Sequence, residues 1–341
     1  VLICVDAGVA EAHRDVCEAA ARYVNRRAES ICMVREPLVL PGGESIKNSW
    51  EHVLTVIEEI RKGGLCRHSF VVAVGGGAFI DAVGFAAGIA HRGIRLIRLP
   101  TTTLSQGDSG VGVKNGINLG ETKNMLGTFS PPFAVINDFE FLTTLSQSLL
   151  LDGIAEAFKV AVIKDGAFFD FLAGAADRIR GRDMEIVEES VRRCARIHLD
   201  HISTSEDPFE FGISRPLDFG HWCAHILEGI SGYSIRHGQA VAVGIAIDSC
   251  YAWKTGLLGR DEFENIVEAM KRAGLAVFHD RLLSREADGT LAVLRGIELF
   301  REHLGGRLSI TLPVGIGRCT EVHAMDRSVV EECISHVAAR E

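Results

Sequence analysis

Short apolar runs alternate with helix-period stretches over roughly the first 140 residues, and helical period dominates afterwards. VLICVD (1–6) is a continuous apolar run ending in Asp6, the pattern of a buried strand. Residues 10–26 repeat apolar positions at helical spacing. ICMVREPLVLPGGES passes from a strand into a Pro-Gly-Gly turn, and KNSWEHVLTVIEEIRKGG reads as an amphipathic helix closed by two glycines. SFVVAV then leads through Gly75, Gly76 and Gly77 into an apolar helix carrying Asp81. Another strand, IRLIRLP, opens into the polar loop TTTLSQGDSG. This alternation predicts an α/β, doubly wound parallel sheet. From LTTLSQSLLLDG onward, 160–200, 219–230, 239–256, 261–274 and 290–303 have helical period, and only RLSITLP (307–313) reads as a strand. The expected organisation is a Rossmann-like α/β domain at 1–140 and a mainly α-helical domain at 141–341, with the cleft between them as the active site.

Composition narrows the function. With 341 residues the chain can bury two cores, and 47% hydrophobic with 24% charged residues is ordinary for a soluble globular protein. A net charge of −9 disfavours nucleic acid or an anionic membrane as partner. No apolar run reaches transmembrane length and no signal peptide is visible. Nine scattered cysteines without a CxxC read as reduced thiols, so a cytoplasmic protein is expected.

Candidate chemistry gathers in four stretches. SRPLDFGHWCAHILEGISGYSIRHG (214–238) holds His221, His225 and His237, with Asp218 ahead of the first. His221 and His225 are four apart and share a helix face. Three imidazoles near one Gly-rich bend suit a zinc-like metal, although a single histidine there is more often a satisfied core residue. DGIAEAFKV places Glu156 and Lys159 on one helix face: Glu156 is the oxygen ligand to pair with the histidines, or half of a salt bridge. The triple glycine lets a pyrophosphate approach a helix N-terminus, or is simply a tight βα turn. GGGAFID is not the GxGxxG fingerprint. Asp108 and Lys114 in the loop after IRLIRLP, and Lys123 and Asn124 in TKNMLG, suit a phosphorylated or polyhydroxylated ligand, or are ordinary solvated loop residues.

PGGESIK, VGGGAFID, HRG, PTT, DSGVGVKNGIN, KNMLGTF, AEAFK, DFGHWCAH and RHGQAVAVG, in this order from about residue 40 to about 320, resemble the 3-dehydroquinate synthase-like sugar phosphate cyclases. The resemblance implies Glu156, His221 and His237 as ligands of a divalent metal, Zn2+ or alternatively Co2+. It implies Asp6, Glu44, Lys47, Gly76, Gly77, Asp81, Thr101 and Thr102 as NAD contacts, with Asp108 and Lys123 touching cofactor as well. Asp108, Lys114, Lys123, Asn124, Lys159 and His225 fall on substrate positions, and Arg92 matches a phosphate-binding arginine that crosses a homodimer interface. The implied reaction oxidises a sugar phosphate hydroxyl through NAD, eliminates phosphate, returns the hydride and closes the ring by an aldol step.

The chain departs from true dehydroquinate synthases where those bind the substrate carboxylate. They read R-x-x-x-N-x-G-H; here Ser214 stands at the arginine position and Asp218 at the asparagine position, with Arg215 shifted by one. The pocket lysine expected before that segment is not evident in CARIHLDHISTSEDP, and FREHLGG replaces the family's late Asp-Lys-Lys. An aspartate repels a carboxylate and accepts from hydroxyls. The expected substrate therefore keeps its phosphate and lacks the carboxylate, as sedoheptulose 7-phosphate does, and RPLDFGH and EHLGG resemble the 2-epi-5-epi-valiolone synthase branch. 3-Dehydroquinate synthase itself, an NAD-dependent polyol dehydrogenase and a non-catalytic binding protein are the competing readings.

Overall fold

The computed structural model describes residues 1–120, 122–204, 209, 216–303 and 305–340. They form two units, Val1–Ser146 and Gln147–Glu341. Ser214 and Arg215 lie outside the described residues.

The first unit runs β1 (Leu2–Asp6), α1 (Ala7–Ala12), α2 (Val16–Asn25), β2 (Leu38–Leu40), α3 (Trp50–Lys62), β3 (Phe70–Gly75), α4 (Gly77–Ile89), β4 (Arg95–Pro100), β5 (Lys114–Leu119), β6 (Thr122–Phe129) and β7 (Ala134–Val135). Five strands make a parallel sheet in the order β2-β1-β3-β4-β7. Alternate residues of β1 explain its unbroken apolar run: Leu2 and Cys4 join the core under α3 and α4, while Ile3 and Val5 join the core on the other face. The single helix expected over 10–26 is two, because His13, Arg14 and Asp15 interrupt it.

Lys114, read as part of the polar loop, opens β5, and TKNMLG lies in β6; the two strands form an antiparallel hairpin. Its turn needs Gly120 at φ +59. Residues 137–144 also stay with the first unit. Asn137 Nδ2 donates to Gln106 O at 2.9 Å, Gln106 Nε2 donates to Asp138 O at 2.8 Å, and Leu142 is buried. Asp138 Oδ1 caps the short helical turn Phe139–Thr144.

The second unit contains α5 (Gln147–Lys164), α6 (Gly166–Gly174), α7 (Ala176–Arg180), α8 (Met184–Thr204), α9 (His221–Ile230), α10 (His237–Lys254), α11 (Arg260–Arg272), α12 (Arg295–His303), β8 (Ile310–Pro313), β9 (Cys319–Val322) and α13 (Arg327–Ala338). Helices α5 and α10 are buried nearly all round and form its centre. Amphipathic α8 and α11 bury one stripe each. The expected strand at 307–313 is present as β8, and its partner β9 makes a hairpin that the helical period did not indicate.

Candidate active site

In the second unit, Glu156 lies mid-way along α5, His221 opens α9 and His237 opens α10. His237 is the first residue of a helix rather than part of the bend before it. One ligand atom from each residue lies within 4.8 Å of the other two. What brings α10 this close to α5 is Gly238: a Cβ there would stand 2.3 Å from Asp152 Cα. Asp152, one turn before Glu156, also pairs with Arg236 at 2.7 Å and so clamps the start of α10.

Electrostatics prepare the three side chains differently. Burial and the Lys159 and His237 charges hold His221 neutral, well below the usual imidazole range. Its Nδ1 faces Phe219 O at 3.1 Å, so Nδ1 carries the proton and Nε2 is left as acceptor. Burial opposes a charge on Glu156, but Lys159 and His237 outweigh it and hold the carboxyl below its ordinary range. Burial also opposes protonation of His237, yet the carboxylates of Glu156 and Glu228 raise it to about 10. Lys159 Nζ is 2.5 Å from Glu156 Oε2 and His237 Nε2 is 3.4 Å from Oε1. Neither approach has hydrogen-bond geometry, so both oxygens of this fully buried carboxylate lack a hydrogen bond. The salt-bridge and ligand readings of Glu156 thus describe the same residue.

Two imidazoles and a carboxylate with orphaned oxygens fit a divalent metal of the zinc kind with an open coordination position. His225 lies exposed on α9, its ring 5.4 Å from His221 and 6.1 Å from His237. It forms a second cluster of potential ligands with Glu228 and His237. Glu228 went unnoticed in the sequence. It is buried, with Oε2 3.5 Å from His237 Nδ1, where it orients the ring that turns Nε2 toward Glu156. An acid in the apolar helix HWCAHILEGI was the available signal. Asp218 ends the short turn Pro216–Asp218, immediately before the Phe219–Gly220 entry to α9.

In the first unit, Gly76 precedes α4, whose N-terminus has no side-chain cap, leaving N–H groups for an anion. Gly77 packs close to Ser109: a Cβ would stand 2.5 Å from its Oγ, so the hydroxyl would have to turn away. Thr101 N donates to Gly75 O at 3.0 Å, which ties the PTT loop to the glycine turn, and within the loop Thr102 Oγ1 meets Ser105 Oγ at 2.8 Å. Asp6 Oδ1 accepts from Gly8 N at 2.8 Å. Burial raises Asp6, against N–H donors that include Gly76.

Lys47, Asp81 and Asn124, far apart in the chain, meet. Lys47 Nζ is 2.8 Å from Asp81 Oδ2 and also donates to Asn124 Oδ1. Burial raises Asp81, with Lys47 and Arg98 opposing the rise. Glu44 is exposed on the same short turn as Lys47. Asp108 lies in the π-helical turn Ser105–Ser109, Lys114 opens β5, and Lys123 lies on β6.

The residue that shapes the loop after β4 is Arg98, which no motif in the sequence marks. Arg98 is fully buried and donates to Gly110 O (2.9 Å), Gly112 O (2.7 Å), Lys114 O (3.0 Å) and Asn115 Oδ1 (2.8 Å). Burial brings it down to about 10, with Asp81 opposing. Arg92 stands apart, exposed in a left-handed turn with His91 at φ 50, Arg92 at φ 63 and Gly93 at φ 117. It lines an open depression of about 350 Å³ with Cys66, Arg67 and His91.

Comparison with known proteins finds two family matches along the chain. Residues 37–152 match the family 3-dehydroquinate synthase N-terminal, and residues 153–295 match 3-dehydroquinate synthase C-terminal. A 3-dehydroquinate synthase of Shewanella frigidimarina is 32% identical over 92% of this chain and 85% of its own length. One from Nitrosospira multiformis is 34% identical over 90% of this chain and 82% of its own. Among solved structures, the 2-epi-5-epi-valiolone synthase ValA of Streptomyces hygroscopicus, with NAD+ and Zn2+ bound, superposes with a TM-score of 0.88. It is 29% identical, over 100% of this chain and 91% of that one. The chain belongs to the 3-dehydroquinate synthase-like sugar phosphate cyclases, and it is an enzyme of their lyase type.

Proposed function

We propose that this cyclase acts on a C7 sugar phosphate without a carboxylate, sedoheptulose 7-phosphate, and makes a valiolone-type cyclitol. The observation that carries this reading is Asp218, placed just ahead of the metal-binding turn. An ionised aspartate there repels a substrate carboxylate and accepts from sugar hydroxyls. The likeness to ValA at a TM-score of 0.88 supports the same choice.

When bound, NAD would take a hydride from a substrate hydroxyl carbon and return it, and the divalent metal would supply Lewis acidity. Gly76, Gly77, Thr101 and Thr102 hold the dinucleotide at the α4 N-terminus, where Asp6, Glu44, Lys47, Asp81, Asp108 and Lys123 complete its surroundings. Glu156, His221 and His237 hold the metal. Lys159 keeps Glu156 ionised, and Lys114, Asn124 and His225 bind substrate oxygens. Arg92, held out by its left-handed turn, reaches the phosphate site of a second copy, so the working form is a homodimer in the cytoplasm. Rate then derives mainly from holding one flexible molecule through successive steps.

The second reading is 3-dehydroquinate synthase itself, favoured by relatives of that name at 32–34% identity. One assay separates them. The protein is incubated with NAD, Zn2+ and either sedoheptulose 7-phosphate or the carboxylated C7 phosphate, and phosphate release, NADH and product mass are followed. Phosphate release from sedoheptulose 7-phosphate without NADH accumulation is expected. Turnover of the carboxylated substrate alone would overturn the proposal, and net NADH production would indicate a polyol dehydrogenase. Asp218→Asn should keep metal and shift the preference between the two substrates; unchanged kinetics on both would remove Asp218 from substrate selection.

A further inference from the structure

We infer that Asp248, deep in α10, is a positioning residue that sets the aim of the metal ligand His221. This rests on the metal centre proposed above and deepens it. Asp248 is fully buried. Its Oδ2 accepts from Gly220 N at 2.9 Å and its Oδ1 from Trp222 Nε1 at 2.7 Å. One carboxylate therefore grips the residues on either side of His221.

The grip works on a backbone that has little other freedom. Gly220 is left-handed at φ 79 and caps α9 without a side chain. Its carbonyl is seated on Gly244, where a Cβ would lie 2.0 Å from Gly220 O. Gly244 and Asp248 are four apart on α10 and share a face. His237 lies seven residues before Gly244 and eleven before Asp248, close to the same stripe at 3.6 residues per turn. One helix face thus carries one metal ligand directly and seats the turn that presents another. Within the turn, His221 Nδ1 is bonded to Phe219 O, so fixing the backbone also fixes the ring and its tautomer. Asp248 touches no metal ligand's imidazole in this arrangement; it acts through Gly220 and Trp222.

The test is zinc affinity of the chelator-stripped full chain, read by competition with a chromophoric chelator, beside the Tm of the metal-free protein. Asp248→Asn keeps the shape but turns an NH2 toward one of two donors. A loss of about 10–100-fold in zinc affinity is expected, the range seen when outer partners of metal ligands are changed. Trp222→Phe removes one of the two donors and should give a smaller loss; it also carries the test if Asp248→Asn does not fold. Ile247→Ala, the buried chain neighbour, should lower Tm and leave zinc affinity within about twofold of wild type. A folded Asp248→Asn or Trp222→Phe with wild-type affinity would overturn the inference. So would Ile247→Ala losing as much zinc affinity as Asp248→Asn, since that marks a merely structural role. Saturable zinc binding without turnover of any sugar phosphate would sink the proposed reaction and leave this inference standing. No saturable binding by wild type would overturn the metal centre and this inference together.

Discussion

Arg98 and Glu156 are both charged and both fully buried, and the chain treats them in opposite ways. Arg98 spends its guanidinium on three backbone carbonyls and one amide oxygen. Glu156 is surrounded by cations, yet neither oxygen has a hydrogen bond. A buried polar group is normally satisfied, because leaving it unmade costs about 1–3 kcal/mol, and more when charged. The contrast separates two uses of buried charge. Arg98 is a structural strut whose ligand is the protein's own loop, with only its Nε left unbonded, whereas both oxygens of Glu156 face cations without a hydrogen bond, which suits a ligand from outside.

The largest expected effect tests that distinction at Glu156. Glu156→Gln should lower bound zinc from about one ion per chain to background, and phosphate release with it, because a neutral amide is a poor zinc ligand. Zinc content measured on the purified variant decides it; full occupancy would take Glu156 out of the ligand set. Arg98→Lys comes next. It should leave most of the carbonyls of Gly110, Gly112 and Lys114 unpaired, and destabilise the first unit by roughly 3–5 kcal/mol. Urea unfolding would show it, while zinc affinity should stay unchanged. A loss below about 1 kcal/mol would mean that water replaces the guanidinium and that Arg98 is no strut.

These two residues also show how far the sequence could be read. That Glu156, His221 and His237 come together was legible because their blocks match a family in order; helical spacing alone pointed to His221 with His225. The parallel sheet was legible from unbroken apolar runs such as β1. Arg98 was hidden in IRLIRLP, where it resembles Arg95. Residues three apart on a strand face opposite ways, and β4 buries the Arg98 face while Arg95 is exposed. That parity was a usable signal. Asp248 could have been found similarly: an acid within AVAVGIAIDSCYA, apolar all round, must be buried and bonded. The hairpins β5–β6 and β8–β9 were less accessible, since their Gly- and Asn-rich or short strands depend on partners elsewhere in the chain.

A smaller effect is expected at the contact that brings α10 to α5. Gly238→Ala places a Cβ against Asp152 backbone, which cannot rotate away. The helices must separate, at about 1–3 kcal/mol, and Glu156 and His237 move apart with them. Zinc affinity should weaken by about tenfold while Arg98 and its loop are unaffected. Unchanged affinity and Tm would show that α10 can shift along its axis without disturbing the ligands.

The smallest effect is a pH dependence that belongs to Glu156's side of the contrast alone. In the metal-free chain His237 is raised from 6.5 to about 10 by Glu156 and Glu228, against the effect of burial. Its contribution to stability is therefore full below about pH 6.5 and is lost as pH rises through about 10. Zinc needs the neutral ring, so binding must release that proton. Apparent zinc affinity should then rise by up to about one log unit per pH unit between roughly pH 6.5 and 8.5, while the Tm of metal-free protein drifts down. Calorimetry in buffers of different ionisation enthalpy would count the proton. A pH-independent affinity across that range would mean that His237 is already neutral beside Glu156. Glu156 would then owe its ionisation to Lys159 alone, and its buried oxygens would be still less compensated without metal than the geometry now implies.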